Sequence, residues 1–328
     1  MKILVLTHSE VEELLPMHEC IDVMAEALAY LARGEVHQPL RMVVRPPDAA
    51  GVIAMMPAYR SGDAPLFGLK AICVFPGNAA QGKDAHQGAV LLFSGETGEL
   101  LAMMNASAIT AIRTASVSGL ATRLLAREDA SELAIIGSGV QARAHLVAMA
   151  CVRPIERARI ASRRFANAQK FADEVQGEYA FPVEAVASVQ SAVNEADLIV
   201  TATTTHDPVL QRDWIAPGAH INAVGTYSPA AREIDTATMV VASLFVDRRE
   251  SALNEAGDYL LAAREGAIGP DHIRAEIGEL LIGAHAGRTS RDEITLFKSL
   301  GLATEDLAAA EYVYRKAQQS HAGTWVEF

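Results

Sequence analysis

Between residues 133 and 150 the chain runs Leu133-Ala134-Ile135-Ile136, then Gly137-Ser138-Gly139-Val140-Gln141-Ala142, then a mostly apolar helical stretch. A G-x-G-x-x-A run between a strand and a helix constrains the backbone severely. Its first glycine permits the tight turn and its second lets a pyrophosphate approach the main chain. Ala142 allows the helix to pack closely on the strand. The helix N-terminus then presents N–H groups and the positive end of its dipole to the phosphates.

The surroundings agree with that reading. From Ser131 onward, apolar strands at 133–136, 158–162, 198–200, 221–224 and 244–246 are interspersed with helical stretches at 140–150 and 165–175. Such alternation is the signature of a parallel sheet covered on both faces. Gly137, Ser138, Gly139, Val140 and Gln141 are therefore expected to form a dinucleotide site. An NAD site usually carries an acid at the end of the second strand, where it holds the ribose 2′-OH. Here Ser162-Arg163-Arg164 stands at that place. A hydroxyl and two guanidinium groups suit a 2′-phosphate, so NADPH is the expected cofactor and NADH the second choice. A solvated basic start to a helix is the other use of the same residues.

The first third mixes helix and strand. Thr7-x-x-Glu10 is a capping-box pattern, and Pro16 interrupts the helix it opens. A second helix places Ile21, Met24, Leu28 and Leu31 on one face and ends at Gly34. Strands are expected at 42–44, 69–75 and 89–93, a hairpin turn at 96–99, and a helix over 109–123. A last helix is expected with Thr304 as N-cap, Glu305 and Asp306 in its first turn and Arg315 and Lys316 in its last.

Composition narrows the class. The chain has 328 residues, 28 Lys and Arg against 40 Asp and Glu, and 50% hydrophobic residues. A formal charge of −12 argues against sequence-independent nucleic-acid binding, which needs a basic footprint. The uncharged stretches 100–112 and 214–231 contain polar residues and fall short of the about 20 apolar residues a bilayer span needs. The run Ile3-Leu4-Val5-Leu6 is too short for a signal-peptide core. A soluble cytoplasmic protein is expected. Cys20, Cys73 and Cys151 read as buried small hydrophobes in a reducing compartment, and the ten scattered His residues predict no metal site.

Further motifs then fit one family in order: Pro39-Leu40-Arg41, Met56-Pro57-Ala58-Tyr59, Lys70, His86-Gln87-Gly88-Ala89-Val90-Leu91-Leu92-Phe93 and Ile109-Thr110-Ala111-Ile112-Arg113-Thr114-Ala115. With the glycine motif come Ile221-Asn222-Ala223-Val224-Gly225 and Phe297-Lys298-Ser299-Leu300-Gly301. Together they resemble the ornithine cyclodeaminase/mu-crystallin family over nearly the whole chain. The resemblance implies an α/β architecture with a Rossmann domain at 128–299. It also implies an α+β substrate-binding and dimerisation domain made of both chain ends, 1–127 with 300–328, and hence a homodimer.

By the same resemblance Arg41, Lys70 and Arg113 converge on a substrate carboxylate. Arg113, Thr114, Thr203, Asn222, Ala223, Val224, Gly225 and Ser299 line the dinucleotide. The family's cyclodeaminases carry an Asp three residues after the Val of Asn-Ala-Val-Gly and a Glu three residues before the Pro of Met-Pro. Tyr227 and Ala54 occupy these positions here. Ornithine cyclisation is disfavoured, since no carboxylate of the match binds a δ-ammonium; Glu233 is a neighbouring acid without support from it.

The function implied is reduction of a ketimine or 2-imino acid to the amino acid. Five-membered pyrroline-2-carboxylate-like, six-membered piperideine-2-carboxylate-like and linear substrates all remain open. The alternatives are a cyclodeaminase-type lyase with bound NAD, an alanine-dehydrogenase-like enzyme and a non-catalytic crystallin-like binding protein. Lys70 is the candidate catalytic group, either as proton donor, directly or through a water, or as electrostatic anchor alone.

Overall fold

The computed structural model describes residues 2–328, with the side chains of Ala79 and Ala80 left aside. It divides into two compact units, Met1–Thr114 with Gly301–Phe328 and Ala115–Leu300. The sequence placed the first border at 127, just past the helix expected over 109–123. The packing divides that helix, Ala106–Leu125, along its length instead.

The first unit is built on one sheet. Its strands are β1 (Lys2–Leu6), β2 (Val36–His37), β3 (Met42–Val44), β4 (Val52–Arg60), β5 (Leu66–Val74), β6 (His86–Ser94) and β7 (Leu100–Asn105). The strand that closes the chain, β16 (Thr324–Glu327), joins the edge in the order β16-β1-β7-β6-β5-β4-β2, with β3 also pairing β4. Neighbours are antiparallel except β1 and β7.

Strict alternation governs β4 to β7. Ala54, Met56, Ala58, Gly68, Lys70, Ile72, Val90, Leu92, Ala102 and Met104 face inward and are buried. The C-terminal helix Ala303–Ser320 packs on β4, β5 and β6, and the helix Met17–Ala32 packs on it in turn. The opposite face is apolar as well: Ile53, Met55, Leu69 and Leu91 are half-buried, Phe67 and Met103 exposed. A strand pattern that is apolar on both faces (Met55-Met56, Leu91-Leu92) lacks the polar alternation of a solvated sheet.

The second unit holds eight parallel strands in the order β10-β9-β8-β11-β12-β15-β13-β14. They are β8 (Glu132–Ile136), β9 (Arg157–Ala161), β10 (Val183–Ala185), β11 (Leu198–Thr201), β12 (His220–Ala223), β13 (Ser243–Val246), β14 (Ile273–Glu276) and β15 (Thr295–Lys298). The chain enters at β8, builds outward through β9 and β10, and returns to lay β11 on the other side. The strand order thus reverses between β8 and β11, where an open parallel sheet leaves a ligand crevice at its carboxyl ends.

Several expectations need correction. Thr304 does not cap the last helix; Leu302 holds the N-cap position, and the Thr304 N–H donates to Gln38 Oε1 at 2.8 Å. A side chain from the chain's beginning supplies the cap that local sequence suggested. The helix runs on to Ser320, so its last turn contains no basic residue; Arg315 pairs with Glu311 and Lys316 with Glu19. Among the cysteines only Cys20 is buried, and Cys151 is exposed. Strands β1, β2, β4, β7, β10, β14, β15 and β16 went unread because most are short or flanked by apolar sequence that blurs their period. Among the described residues no helix is long and apolar enough to cross a membrane. Nor do three His, Cys, Asp or Glu side chains group there as a metal site requires.

Candidate active site

In the first unit Lys70 lies mid-strand on β5, opposite Met56 and Val90, with its side chain on the helix-covered face. Two residues earlier on that face is Gly68. A Cβ there would come within 2.9 Å of Leu307 Cδ1, so the glycine lets the C-terminal helix settle closely on the sheet. This approach delivers Asp306 to Lys70. Lys70 Nζ donates to Asp306 Oδ1 at 3.0 Å and lies 2.8 Å from Oδ2. From the helix Ala106–Leu125, Arg113 donates through Nε to Asp306 Oδ1 at 2.9 Å and through Nη1 to Glu305 Oε2 at 2.7 Å. All four side chains are at most 4% exposed.

Arg41 completes the group, donating through Nη2 to the Gly301 carbonyl at 3.0 Å. Gly301 has φ +79°, and a Cβ on it would stand 2.4 Å from Arg113 Nη1. Only glycine fits between these two arginines. Burial, followed by the charge of Arg113, pulls the Lys70 pKa down to about 8 against the opposing pull of Asp306. Half-buried His86 is pushed down by burial and by Lys70, with Asp84 opposing, which favours its neutral form.

The structure thus brings Lys70 and Arg113 together, with Arg41 close enough for its charge to act on Lys70. Sequence reasoning assigned Glu305 and Asp306 to the helix dipole and missed their ion pairs. A signal was present: Asp306 falls in the apolar stripe of Leu302, Ala309, Ala310 and Val313, where a carboxylate requires a buried partner.

In the second unit the glycine motif sits at the carboxyl end of β8. Gly137 has φ +129°, and a Cβ on it would meet the Ala202 carbonyl oxygen at 2.4 Å. The residue after β11 therefore closes on the motif and leaves no room for a side chain. Gly139 differs, since its Cβ would enter open space. No protein atom claims the space beside it, as the approach of a pyrophosphate would require. It is also the N-cap of the helix Val140–Val152 and supplies no side-chain hydrogen bond, while Ala142 is fully buried against the fold. These features fit the pyrophosphate of a dinucleotide. Ser138 Oγ and Ser162 Oγ are hydrogen-bonded at 3.0 Å, tying the motif to the end of β9, and Arg163 and Arg164 beyond it are exposed.

Most of the remaining expected dinucleotide residues lie at or just beyond the carboxyl ends of β11, β12 and β15. A fully buried carboxylate, Glu233, binds two of these loops together. It accepts from Thr201 Oγ1 at 2.9 Å, from Thr203 N and Oγ1 at 2.7 Å each, and from Gly225 N at 2.7 Å. Burial raises its pKa. Asp258 accepts from the backbone N–H groups of Glu233 and Ile234 at 2.7 and 2.9 Å and pairs with buried Lys298 at 2.8 Å. Burial would raise the Asp258 pKa, but Lys298 and these hydrogen bonds hold it below its ordinary value. Neither Asp258 nor Lys298 was foreseen as part of such a network.

Asn222 is fully buried and donates its amide to Thr122 Oγ1 at 2.9 Å. Ala223 and Ser299 are buried and Val224 half-buried. Arg113 and Thr114 belong to the first unit, apart in sequence from the other expected dinucleotide residues.

Comparison with known proteins decides the family. The model of the ornithine cyclodeaminase/mu-crystallin family matches residues 1–321. This chain belongs to that family. It is 41% identical over 297 residues to ketimine reductase mu-crystallin of Mus musculus, covering 90% of each chain. Its fold is similar to that of Thermococcus litoralis Delta(1)-pyrroline-2-carboxylate reductase, solved in complex with NADH and L-proline. The TM-score is 0.95 at 39% identity, with 98% of this chain and 99% of that chain covered. An archaeal alanine dehydrogenase, described as a dimer with bound NAD, gives a TM-score of 0.93 at 33% identity over the full length of both chains.

Within the family, the two positions that separate cyclodeaminases are instructive here. Tyr227 is 42% exposed and Ala54 is buried in β4. Glu233, the acid nearest in sequence to Tyr227, is consumed by the loops it holds and cannot substitute for the missing Asp. Glu233→Ala would leave Thr203 N and Gly225 N without their acceptor. At about 1–3 kcal/mol for each unsatisfied buried group, the variant is expected to lose several kcal/mol of stability. Urea unfolding followed by circular dichroism measures it, and an unchanged midpoint would refute the bridging role.

Proposed function

We propose that this protein is an NADPH-dependent reductase of 2-imino acids, converting a C=N bond next to a carboxylate into the amine. The observation that carries the reading is the convergence of three cations. Lys70 and Arg113 meet on Asp306 out of water, and the charge of half-buried Arg41 acts on Lys70, as a clamp for one substrate carboxylate would require. When bound, the reduced nicotinamide supplies the hydride that the imine carbon accepts. The clamp residues bind the carboxylate and fix the orientation of the neighbouring carbon. Lys70 holds a proton for the imine nitrogen, and a pKa of about 8 suits a donor at neutral pH. The iminium is the better hydride acceptor, so protonation precedes reduction.

Cyclic imines with a five- or six-membered ring and linear 2-imino acids share this chemistry. The relatives named for pyrroline-2-carboxylate and ketimine reduction support the class, and Tyr227 and Ala54 weigh against a lyase. The requirement for a reduced pyridine nucleotide and the absence of disulfides among the described cysteines favour the cytoplasm. On assays of NADPH oxidation, a panel of cyclic imines, and of 2-oxo acids with ammonium, is expected to identify turnover. Ornithine with NAD is expected to release no ammonia. Lys70→Ala should lower kcat/KM for the imine at least tenfold, as loss of a charge-assisted contact of roughly 1.5–3 kcal/mol implies. Ammonia release from ornithine without imine-dependent NADPH oxidation would overturn the reading.

Cofactor preference rests on Ser162, Arg163 and Arg164 and on the lack of an acid at the end of β9. NADPH should outperform NADH in kcat/KM. Arg163→Ala should narrow the gap by about tenfold, the worth of one charge-assisted contact to the 2′-phosphate. A wild-type preference for NADH would remove the assignment.

The homodimer reading draws on the apolar outer face of the first unit's sheet, formed by Ile53, Met55, Phe67, Leu69, Leu91 and Met103. Exposed contiguous apolar surface of this kind marks an interaction face, and the archaeal alanine dehydrogenase of similar fold is described as a dimer. Light scattering at micromolar concentration should give twice the chain mass of 35.0 kDa. Phe67→Glu should shift the protein towards monomer; a wild-type monomer contradicts the reading.

A further inference from the structure

The first unit contains a charged group that the reductase chemistry does not itself require: Asp306. Its two oxygens lie within 3.0 Å of Lys70 Nζ, and Oδ1 also accepts from Arg113 Nε at 2.9 Å. Asp306 thus contacts both of these cations directly. Glu305, its neighbour, pairs with Arg113, whereas it is Asp306 whose charge and hydrogen bond act on Lys70. The two carboxylates are therefore not equivalent. Removing Asp306 takes away the negative charge that touches Lys70 and leaves its positive neighbours in place.

We propose that Asp306 is a positioning residue for imine reduction, holding Lys70 beside Arg113 and keeping the lysine protonated where it must deliver a proton. The inference rests on the reductase reading for its catalytic half. Its electrostatic half concerns the protein alone. The groups that act on Lys70 are Arg113, Asp306 and Arg41, with half-buried His86 nearby. Glu305 acts through Arg113, and Asp84 reaches His86 and Ser107. Arg41 and Arg113 both disfavour a protonated lysine, burial does the same, and Asp306 is the group that opposes them.

The sign of the effect follows. Protonated Lys70 predominates below about pH 8 and is lost above it. With the adjacent negative charge removed, the loss begins at lower pH. An opposite charge within 4–6 Å shifts a titration by about one to three units, so Asp306→Asn should move it down by at least one.

Two measurements on the full-length protein separate the parts. The first titrates Lys70 directly, by the 13Cε shift of labelled lysine in the protein without substrate, assigned by the signal lost in Lys70→Met. The second is the pH profile of kcat/KM for imine reduction with NADPH. Asp306→Asn is expected to shift both downward together, with a loss of activity at pH 8.5 at least five times larger than at pH 6.5. Glu305→Gln should move the lysine titration less. Asp306→Glu restores the charge and should return the titration towards wild type, while its extra methylene lowers kcat. An Asp306→Asn titration that coincides with wild type overturns the proposal, as does a loss of activity by the same factor at every pH. If Asp306→Asn does not fold, Asp306→Glu decides: a Lys70 midpoint at least one pH unit below that of wild type, despite the restored charge, would sink the idea. A wild type that reduces no imine defeats the reductase reading, and the lysine titration still tests what Asp306 does.

Discussion

Removing an ammonium and a guanidinium from water costs several kcal/mol for each ion, and only close, well-directed counter-charges recover it. Lys70 and Arg113 are both removed from water, and Asp306 and Glu305 meet them at hydrogen-bond distance. The rest of the first unit is organised to make that meeting possible. Gly68 thins the sheet where the C-terminal helix descends, Gly301 leaves space for the Arg113 guanidinium, and Gln38 satisfies the helix's Thr304 N–H. The acids occupy the first turn of the helix, where the dipole also favours negative charge.

The second unit uses the same economy of buried charge for a different end. The Glu233 carboxylate holds Thr203 and Gly225, two of the expected dinucleotide residues, and Asp258 with Lys298 braces Glu233 from behind. They fasten the backbone of Thr203, Gly225 and Thr226 at the carboxyl ends of β11 and β12. Loop backbone held this way retains its shape before any ligand arrives, which is how a parallel sheet offers a preformed crevice. The approach of Gly225 to Thr203 is so close that a Cβ would stand 2.2 Å from the Thr203 carbonyl oxygen.

The βα block was legible from the chain because its strands are buried on both faces and its glycine motif falls between a strand and a helix. Strands such as β8, β9 and β12 emerged within a residue or so of their expected bounds. The first unit was less legible. In β4 and β7, Met55-Met56 and Met103-Met104 put apolar side chains on both faces, so the period-2 signal of a half-buried strand is absent. The cap at Thr304 was misread because its hydrogen-bond partner lies 266 residues away. The cations Arg41, Lys70 and Arg113 were named through family motifs. Their counter-ions, which follow from tertiary packing, required the fold.

The clamp is also a statement about time. Asp306 stands 236 residues after Lys70 and 193 after Arg113. A ribosome adding about 5–20 residues per second needs on the order of tens of seconds to cover the first of those intervals. Throughout that period β4 to β7 exist without the helix that covers them, and Lys70 and Arg113 await Asp306. The stretch from Ala115 to Leu300 is synthesised whole in between. The nascent chain can therefore complete its nucleotide-type sheet from its own residues, while the unit that began first must be the last to close.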